Sequence, residues 1–423
     1  MTYHVGYRLP VVDMHKQMHN ETHQVSADQK TYTPVNRFYQ FPTLVTPSNS
    51  GNFRALNNDT LYYTAWFDIS DQPLIIHTPD TQGRYYTIAV TNQYFEVTHI
   101  GRRTTGTAEQ FFALVPPHWQ GELPDGVKAV PVETNYGWLL GRMLVDGEAD
   151  FAEAKALVDD IWLASLDEFN PAAQPALPPA KTADALDILE NLEFYSVLNQ
   201  HLKHLPRRGG EDILLAQFDQ VGFGPNSNFD PNTIDEATKA GLLRGIQDGV
   251  EVVAAGTQRT IPGFNGWMIS KQIGRYPNYP LMHRAAVVKG GYGNLPEESL
   301  YPARLFDDEG NWLNGDNHYS LRFNADELPP VDGFWSLSVY RISDMQLEEN
   351  AIKRYSIGDR TSGLQLAADG SLTISLQYQQ PASAEANWMP VPAGNFAVVM
   401  RFYEPQPAAL DNTFLLPKIE KLN

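Results

Sequence analysis

Short runs rich in aromatic and β-branched residues, each closed by a glycine or proline turn, occupy both ends of this chain, and one stretch of helical period separates them. Near the N-terminus the runs are Leu61-Tyr62-Tyr63-Thr64-Ala65-Trp66-Phe67-Asp68-Ile69, Leu74-Ile75-Ile76-His77-Thr78 and Arg84-Tyr85-Tyr86-Thr87-Ile88-Ala89-Val90. Residues 111–115 and 137–144 continue the series. After about residue 280 the pattern returns in His318-Tyr319-Ser320-Leu321-Arg322-Phe323 and Phe334-Trp335-Ser336-Leu337-Ser338-Val339-Tyr340, then over 372–378 and 396–402. Asp308-Glu309-Gly310, Asn314-Gly315-Asp316 and Asp369-Gly370 supply the turns. Runs of this composition and length are strands, and many of them at this spacing predict a sandwich or barrel.

From residue 148 to about 256 the period switches. Residues 151–163 are apolar at helical spacing. Residues 183–205 open at Thr182, a good N-cap, and end before Pro206. A third helix over 235–255 carries Gly241, Gly245 and Gly249 on one face, which predicts close approach of another backbone. The Pro/Ala-rich residues 171–180 read as a stiff connector, and a further helical stretch covers 12–25. The chain has 423 residues, too many for one ordinary core, so two domains are expected.

Charge removes several functions. The net charge is −19, from 31 basic and 50 acidic residues, a field that repels nucleic-acid phosphates and anionic membrane surfaces. There is no cysteine, which excludes disulfides, thiol catalysis and Cys-ligated metal. No apolar run is long enough for a transmembrane helix. The first residues lack the basic and apolar regions of a signal peptide. There is no Gly-x-Ser-x-Gly elbow, phosphate-binding P-loop or dinucleotide fingerprint.

Several strings carry a resemblance. Asn57-Asn58-Asp59-Thr60-Leu61-Tyr62, Gly83-Arg84-Tyr85-Tyr86, Gly101-Arg102-Arg103-Thr104-Thr105-Gly106 and Gly141-Arg142 resemble the bacterial domain of unknown function 1254. Ile273-Gly274-Arg275-Tyr276, His283-Arg284-Ala285-Ala286, residues 329–336, Arg354-Tyr355-Ser356-Ile357-Gly358-Asp359-Arg360 and Ala386-Asn387-Trp388-Met389-Pro390 resemble its usual companion, number 1214. The resemblance spans residues 36–418. It implies jelly-roll-like β-sandwiches with helices between or beside the sheets, and an exported, periplasmic or secreted setting. It implies no reaction and no catalytic residue. The expected fold is therefore mainly β with an α insertion (α+β): a polar, helical arm over 1–35, a first β-sandwich over 36–147, a helical middle segment over 148–258 and a second β-sandwich over 259–423.

The candidate residues each have a structural and a functional use. Asn58 and Asp59 precede a strand, where they close turns onto the backbone or ligate a cation or sugar hydroxyl. Arg84, Arg102 and Arg103, and then Arg354, Asp359 and Arg360, stand in glycine loops. Their guanidinium forks suit internal carboxylates or a bound anion. Trp335, with Trp66, Trp267 and Trp388, is either core or a stacking surface. His15, His19 and His23 recur every four residues, so on a helix they share a face and could hold a divalent metal, although no His-Glu-x-x-His motif accompanies them. No other cofactor is indicated. His201 and His204 read as cations near a helix C-terminus. Residues 307–317 look like a calcium loop but lack its spacing, so two tight turns are expected. The expected function is binding of a small polar or glycan-like molecule in an inter-domain or sheet-edge cleft. The alternatives are a hydrolase using Asp59, Asp359 and histidine, and an assembly protein that forms homo-oligomers.

Overall fold

The computed structural model describes residues 2–29, 31–50, 54–207, 211–218, 221–257, 264–276, 293–381 and 387–422. The N-terminal β unit contains β1 (Tyr39–Gln40), β2 (Thr60–Asp68), β3 (Leu74–Thr78), β4 (Tyr86–Asn92), β5 (Val97–Gly101), β6 (Gln110–Val115), β7 (Val127–Pro131), β8 (Tyr136–Leu144) and β9 (Trp162–Ser165). They form a five-stranded sheet in the order β1-β2-β8-β4-β5 and a four-stranded sheet in the order β7-β6-β3-β9. The C-terminal unit contains β10 (Ser299–Leu300), β11 (Ala303–Arg304), β12 (Tyr319–Phe323), β13 (Val331–Arg341), β14 (Ile357–Gly358), β15 (Leu372–Gln377), β16 (Trp388–Pro390), β17 (Phe396–Pro405) and β18 (Ile419–Lys421). Its sheets run β10-β17-β13-β14, with β11 also on β17, and β16-β15-β12-β18. Two β-sandwiches and a helical middle are the architecture expected from the sequence.

Strand alternation places the site. On β2, Leu61, Tyr63, Ala65 and Phe67 enter the core between the two sheets of their own unit. Tyr62 and Trp66 point the other way and join Trp138 and Leu140 of β8 in a separate cluster. On β17, Val398, Met400 and Phe402 fill the second core, while Val399 faces that separate cluster. Tyr340, Leu347 and Tyr355 of the second unit complete it. The five-stranded sheets of the two sandwiches thus use their outer faces against one another, which is why every residue of β17 is buried. Gly141 on β8 has a packing reason: a Cβ there would lie 1.9 Å from the Tyr63 ring.

The helices are α1 (Thr2–Thr22), the single turn α2 (Arg102–Thr105), α3 (Phe151–Asp159), α4 (Glu193–Leu202), α5 (Glu211–Phe218) and α6 (Glu236–Thr257). Helix α1 lies on α4 and α6 through Leu9, Val12, Phe194, Leu198, Leu242 and Ile246. Four expectations are corrected. Helix α1 starts ten residues earlier than residue 12. The helix sought over 183–205 is confined to Glu193–Leu202. Helix α3 stops at Asp159, and Trp162–Ser165 pairs with β3 as a buried strand, so the first β unit runs past residue 147. At Gly241 a Cβ would meet nothing within 4 Å, so among the described residues no backbone closes on α6 at that point.

Candidate ligand cleft

Between the two sandwiches and the helical layer lies a cleft of about 1480 Å³. Its floor is the outer face of the first five-stranded sheet, through Tyr62, Thr64, Trp66, Trp138, Leu140 and Arg142. One wall is α1, with Leu9, Asp13, Gln17, Asn20 and Glu21, and α6 adds Ile246, Gln247, Val250 and Glu251. The second β unit closes the far side with Tyr301, Val399 and Arg401.

Aromatic rings pack in pairs along the floor. Trp66 and Trp138 lie 6.0 Å apart by ring centroid, as do Phe41 and Tyr62. The Trp66 Nε1–H donates to Glu21 Oε2 at 2.7 Å. Burial pushes the Glu21 carboxyl up to about 7, opposed by that hydrogen bond. Arg142 stacks over Tyr62 at 5.5 Å and donates to Asn294 Oδ1 at 2.7 Å. Arg401 stacks over Tyr340 at 5.4 Å and donates to Ala55 O at 2.6 Å and Tyr340 OH at 2.7 Å. Arg142 Nε, Arg401 Nη1 and Tyr301 OH are buried and have no hydrogen-bond partner among the described residues. Buried polar atoms are almost always paired, so three orphaned atoms on residues that line one cleft mark it chemically.

The residues singled out in the sequence lie mostly elsewhere, at the seam between the units. Asn57 builds the expected turn: its Oδ1 accepts from Asp59 N at 3.1 Å, Thr60 N at 3.1 Å and Thr60 Oγ1 at 2.9 Å. Asn57 also donates to Tyr403 OH at 2.5 Å, and Asn58 donates to Val45 O at 2.5 Å. Asp59 accepts from Ser336 Oγ at 2.6 Å and Ser356 Oγ at 2.9 Å, both in the other unit. Arg102 is bidentate on Glu404, and Arg103 holds Glu298 at 2.7 Å. Arg360 lies over Phe334 at 4.1 Å and donates to Val145 O at 3.0 Å. Asp359 accepts from Trp335 N at 3.2 Å, and burial pushes its carboxyl up to about 6 against the pull of Arg360. Arg84 and Arg354 stay within their own units: Arg84 is bidentate on Asp150 at 2.5 and 2.7 Å, and Arg354 donates to Trp388 O at 2.7 Å. Of the four tryptophans, Trp267, Trp335 and Trp388 are buried in the second unit, and Trp66 lines the cleft.

Of the α1 histidines, His19 and His23 stack with ring centroids 4.5 Å apart, while His15 turns to His201. His15 Nδ1 lies 3.0 Å from His201 Nε2, His19 Nε2 bonds Asp184 O at 3.0 Å and His23 Nδ1 bonds His19 O at 3.0 Å. Among the described residues no three His, Asp or Glu side chains are grouped to hold a metal ion. His201 is buried and its pKa is pushed down to about 3, first by burial and then by His15, so it is a neutral hydrogen-bonding group and not a helix-end cation. At 307–317 the expected turns are present: Asp307 Oδ1 accepts from Glu309 N at 3.0 Å and Asn311 N at 2.9 Å. His283–Ala286 and most of Gly290–Gly293 lie outside the described residues.

Arg401, Trp138 and Tyr301 were not read from the sequence as site residues, and Arg142 entered only through the resemblance. Their signal is a lone charge within an apolar strand, as in Leu139-Leu140-Gly141-Arg142-Met143-Leu144 and Val398-Val399-Met400-Arg401-Phe402. Such a charge is buried only with a reason.

The chain carries two matched domains: residues 35–165 match the family described as protein of unknown function (DUF1254), and residues 298–407 match the one described as protein of unknown function (DUF1214). No curated protein matches it. Among solved structures it is similar to the VPA0106 protein from Vibrio parahaemolyticus, with TM-score 0.73 and 24% identity over 100% of this chain and 98% of that one. It is also similar to an uncharacterised protein from Burkholderia cenocepacia, with TM-score 0.50 and 15% identity over 99% and 87% of the two chains. These likenesses show the fold, and no helix among the described residues is long and apolar enough to cross a membrane.

Proposed function

We propose that this protein binds a small polar ligand in the cleft between its two sandwiches and α1. One observation carries this reading: the cleft wall holds buried hydrogen-bonding atoms of Arg142, Arg401 and Tyr301 that nothing in the described protein satisfies. Ligand sites join an apolar, often aromatic lining to a few convergent polar groups, and this cleft has both. Its volume of about 1480 Å³ exceeds the roughly 300–1,000 Å³ of sites for drug-sized molecules, which leaves room for a sugar-sized ligand with its water. A second reading, acid–base catalysis in the same space, draws on Glu21, a cleft carboxyl with its pKa near 7. Asp59 and Asp359 lie at the seam instead, where both Asp59 oxygens and Oδ1 of Asp359 accept hydrogen bonds.

Native mass spectrometry of the protein purified from cells tests the binding reading. We expect a discrete excess mass that disappears on denaturation and is absent from a Val250→Trp variant, in which an indole fills the mouth beside α6. A clean mass for the wild-type chain, or the same adduct on the Val250→Trp variant, contradicts it.

A further inference from the structure

We propose that the cleft receives a single carboxylate carried on a ring, with Arg142 and Arg401 as its anchors. This rests on the cleft being a ligand site and adds the class of ligand. The first argument is charge without an internal anion. Arg142 and Arg401 are 5% and 2% exposed. Every hydrogen bond they make among the described residues goes to a neutral oxygen, that of Asn294, Ala55 or Tyr340. Asp59 acts on Arg401 through space, but its own oxygens are bonded to serines. A guanidinium removed from water without an anion is costly, and its fork matches a carboxylate in shape. The loop arginines show what this chain does with a surplus charge: Arg102 and Arg103 have glutamates. Among the described residues Arg142 and Arg401 have none.

The second argument is position. Strands β8 and β17 belong to different domains, yet both guanidiniums line the same cleft, and Arg142 lies over Tyr62 of its floor. The third is the local field. His99 accepts from Leu295 N at 3.2 Å, and its pKa is pushed down to about 3 by burial and then by Arg103, Arg142 and Arg275. Arg103 and Arg275 have Glu298 and Glu297 as partners, so among the described residues Arg142 is the uncompensated charge in this field. The rest of the cleft sets the charge limit and the shape. Asp13, Asp28, Glu190 and Glu251 line it elsewhere and repel a polyanion, while Trp66 and Trp138, each 2% exposed, add aromatic carbon to its floor. A sugar acid and an aromatic acid share this chemistry.

The test titrates four probes into the wild-type chain: indole-3-acetate, indole-3-acetamide, D-glucuronate and methyl β-D-glucoside. Binding is read by calorimetry and by quenching of tryptophan fluorescence. We expect at least one acid to bind about tenfold or more tightly than its neutral counterpart. The preferred acid identifies the source. Arg142→Lys and Arg401→Lys, which keep the charge and lose the fork, reduce the acid to the level of the neutral probe. Neutral probes that bind as tightly as the acids overturn the proposal and leave the cleft a ligand site. Lysine variants that bind the acid unchanged overturn it as well, as does a failure of all four probes. The underlying cleft reading falls separately, on the native mass. If a lysine variant does not fold, the comparison of acid with neutral probe on the wild-type chain decides.

Discussion

At the scale of single residues, burial and hydrogen bonding set which charges this protein can use. Glu21 is the clearest case, because its carboxyl reaches about 7 mainly through burial. Its folded pKa lies above the unfolded value of 4.5, so the folded state holds the proton more tightly. Its stabilising contribution is complete below pH 4.5 and is lost as pH rises through 7. Glu21→Gln keeps an acceptor for Trp66 and removes the ionisation. We expect it to raise stability at pH 8 by on the order of 2 kcal/mol and to change it little at pH 4. Urea unfolding at both values checks this, and an equal effect at both is the contrary result. The same balance explains which candidate residues the sequence revealed. Arginines in glycine loops looked like a site because loops on β scaffolds so often carry function. Here Arg102, Arg103 and Arg360 fasten one domain to the other. The arginines with unspent capacity sit in strands, where a sequence reader expects packing.

At the scale of elements, α1 forms one wall of the cleft. Arg8 pairs with Glu211 of α5 at 3.0 Å, and the side chains are 1% and 2% exposed. Removing one partner of so buried a pair leaves an uncompensated charge, so Arg8→Ala is expected to cost about 3–5 kcal/mol. Arg322→Ala, which breaks a pair exposed by 49% and 62%, is expected to cost about 0–1 kcal/mol. Chemical denaturation of the two variants checks the contrast, and similar losses refute it. The boundaries of α1 were hard to read because its faces do different things. Leu9 and Val12 enter the helical core, Asp13, Gln17 and Glu21 face the cleft, and Lys16 pairs with Asp187 at 2.8 Å. Apolar periodicity is diluted when a helix has two kinds of partner. Strand β9 was hidden for another reason: a short apolar run such as Ile161-Trp162-Leu163 fits a buried strand and a helix end equally well.

At the scale of the whole molecule, two sandwiches were legible because alternation and turn chemistry are local. The seam between them was not, because its partners lie far apart in the chain. Asn57 meets Tyr403, Tyr85 meets Glu298 at 2.9 Å, and Tyr340 donates to Leu56 O at 2.7 Å. Only that seam shows that Tyr62, Trp66 and Arg142 face a cleft closed by Tyr301 and Arg401 of the other unit. The cleft as the ligand site is thus a property of the assembled pair of domains, and the most direct test looks at it in place. Crystals of the full chain grown with 4-iodobenzoate allow the iodine to be located by its anomalous scattering. The account predicts one iodine site among Tyr62, Trp66 and Trp138, with the carboxylate on Arg142 and Arg401. Iodine at the Arg102–Arg103 loop, or an empty cleft in crystals grown at high ligand concentration, would contradict it.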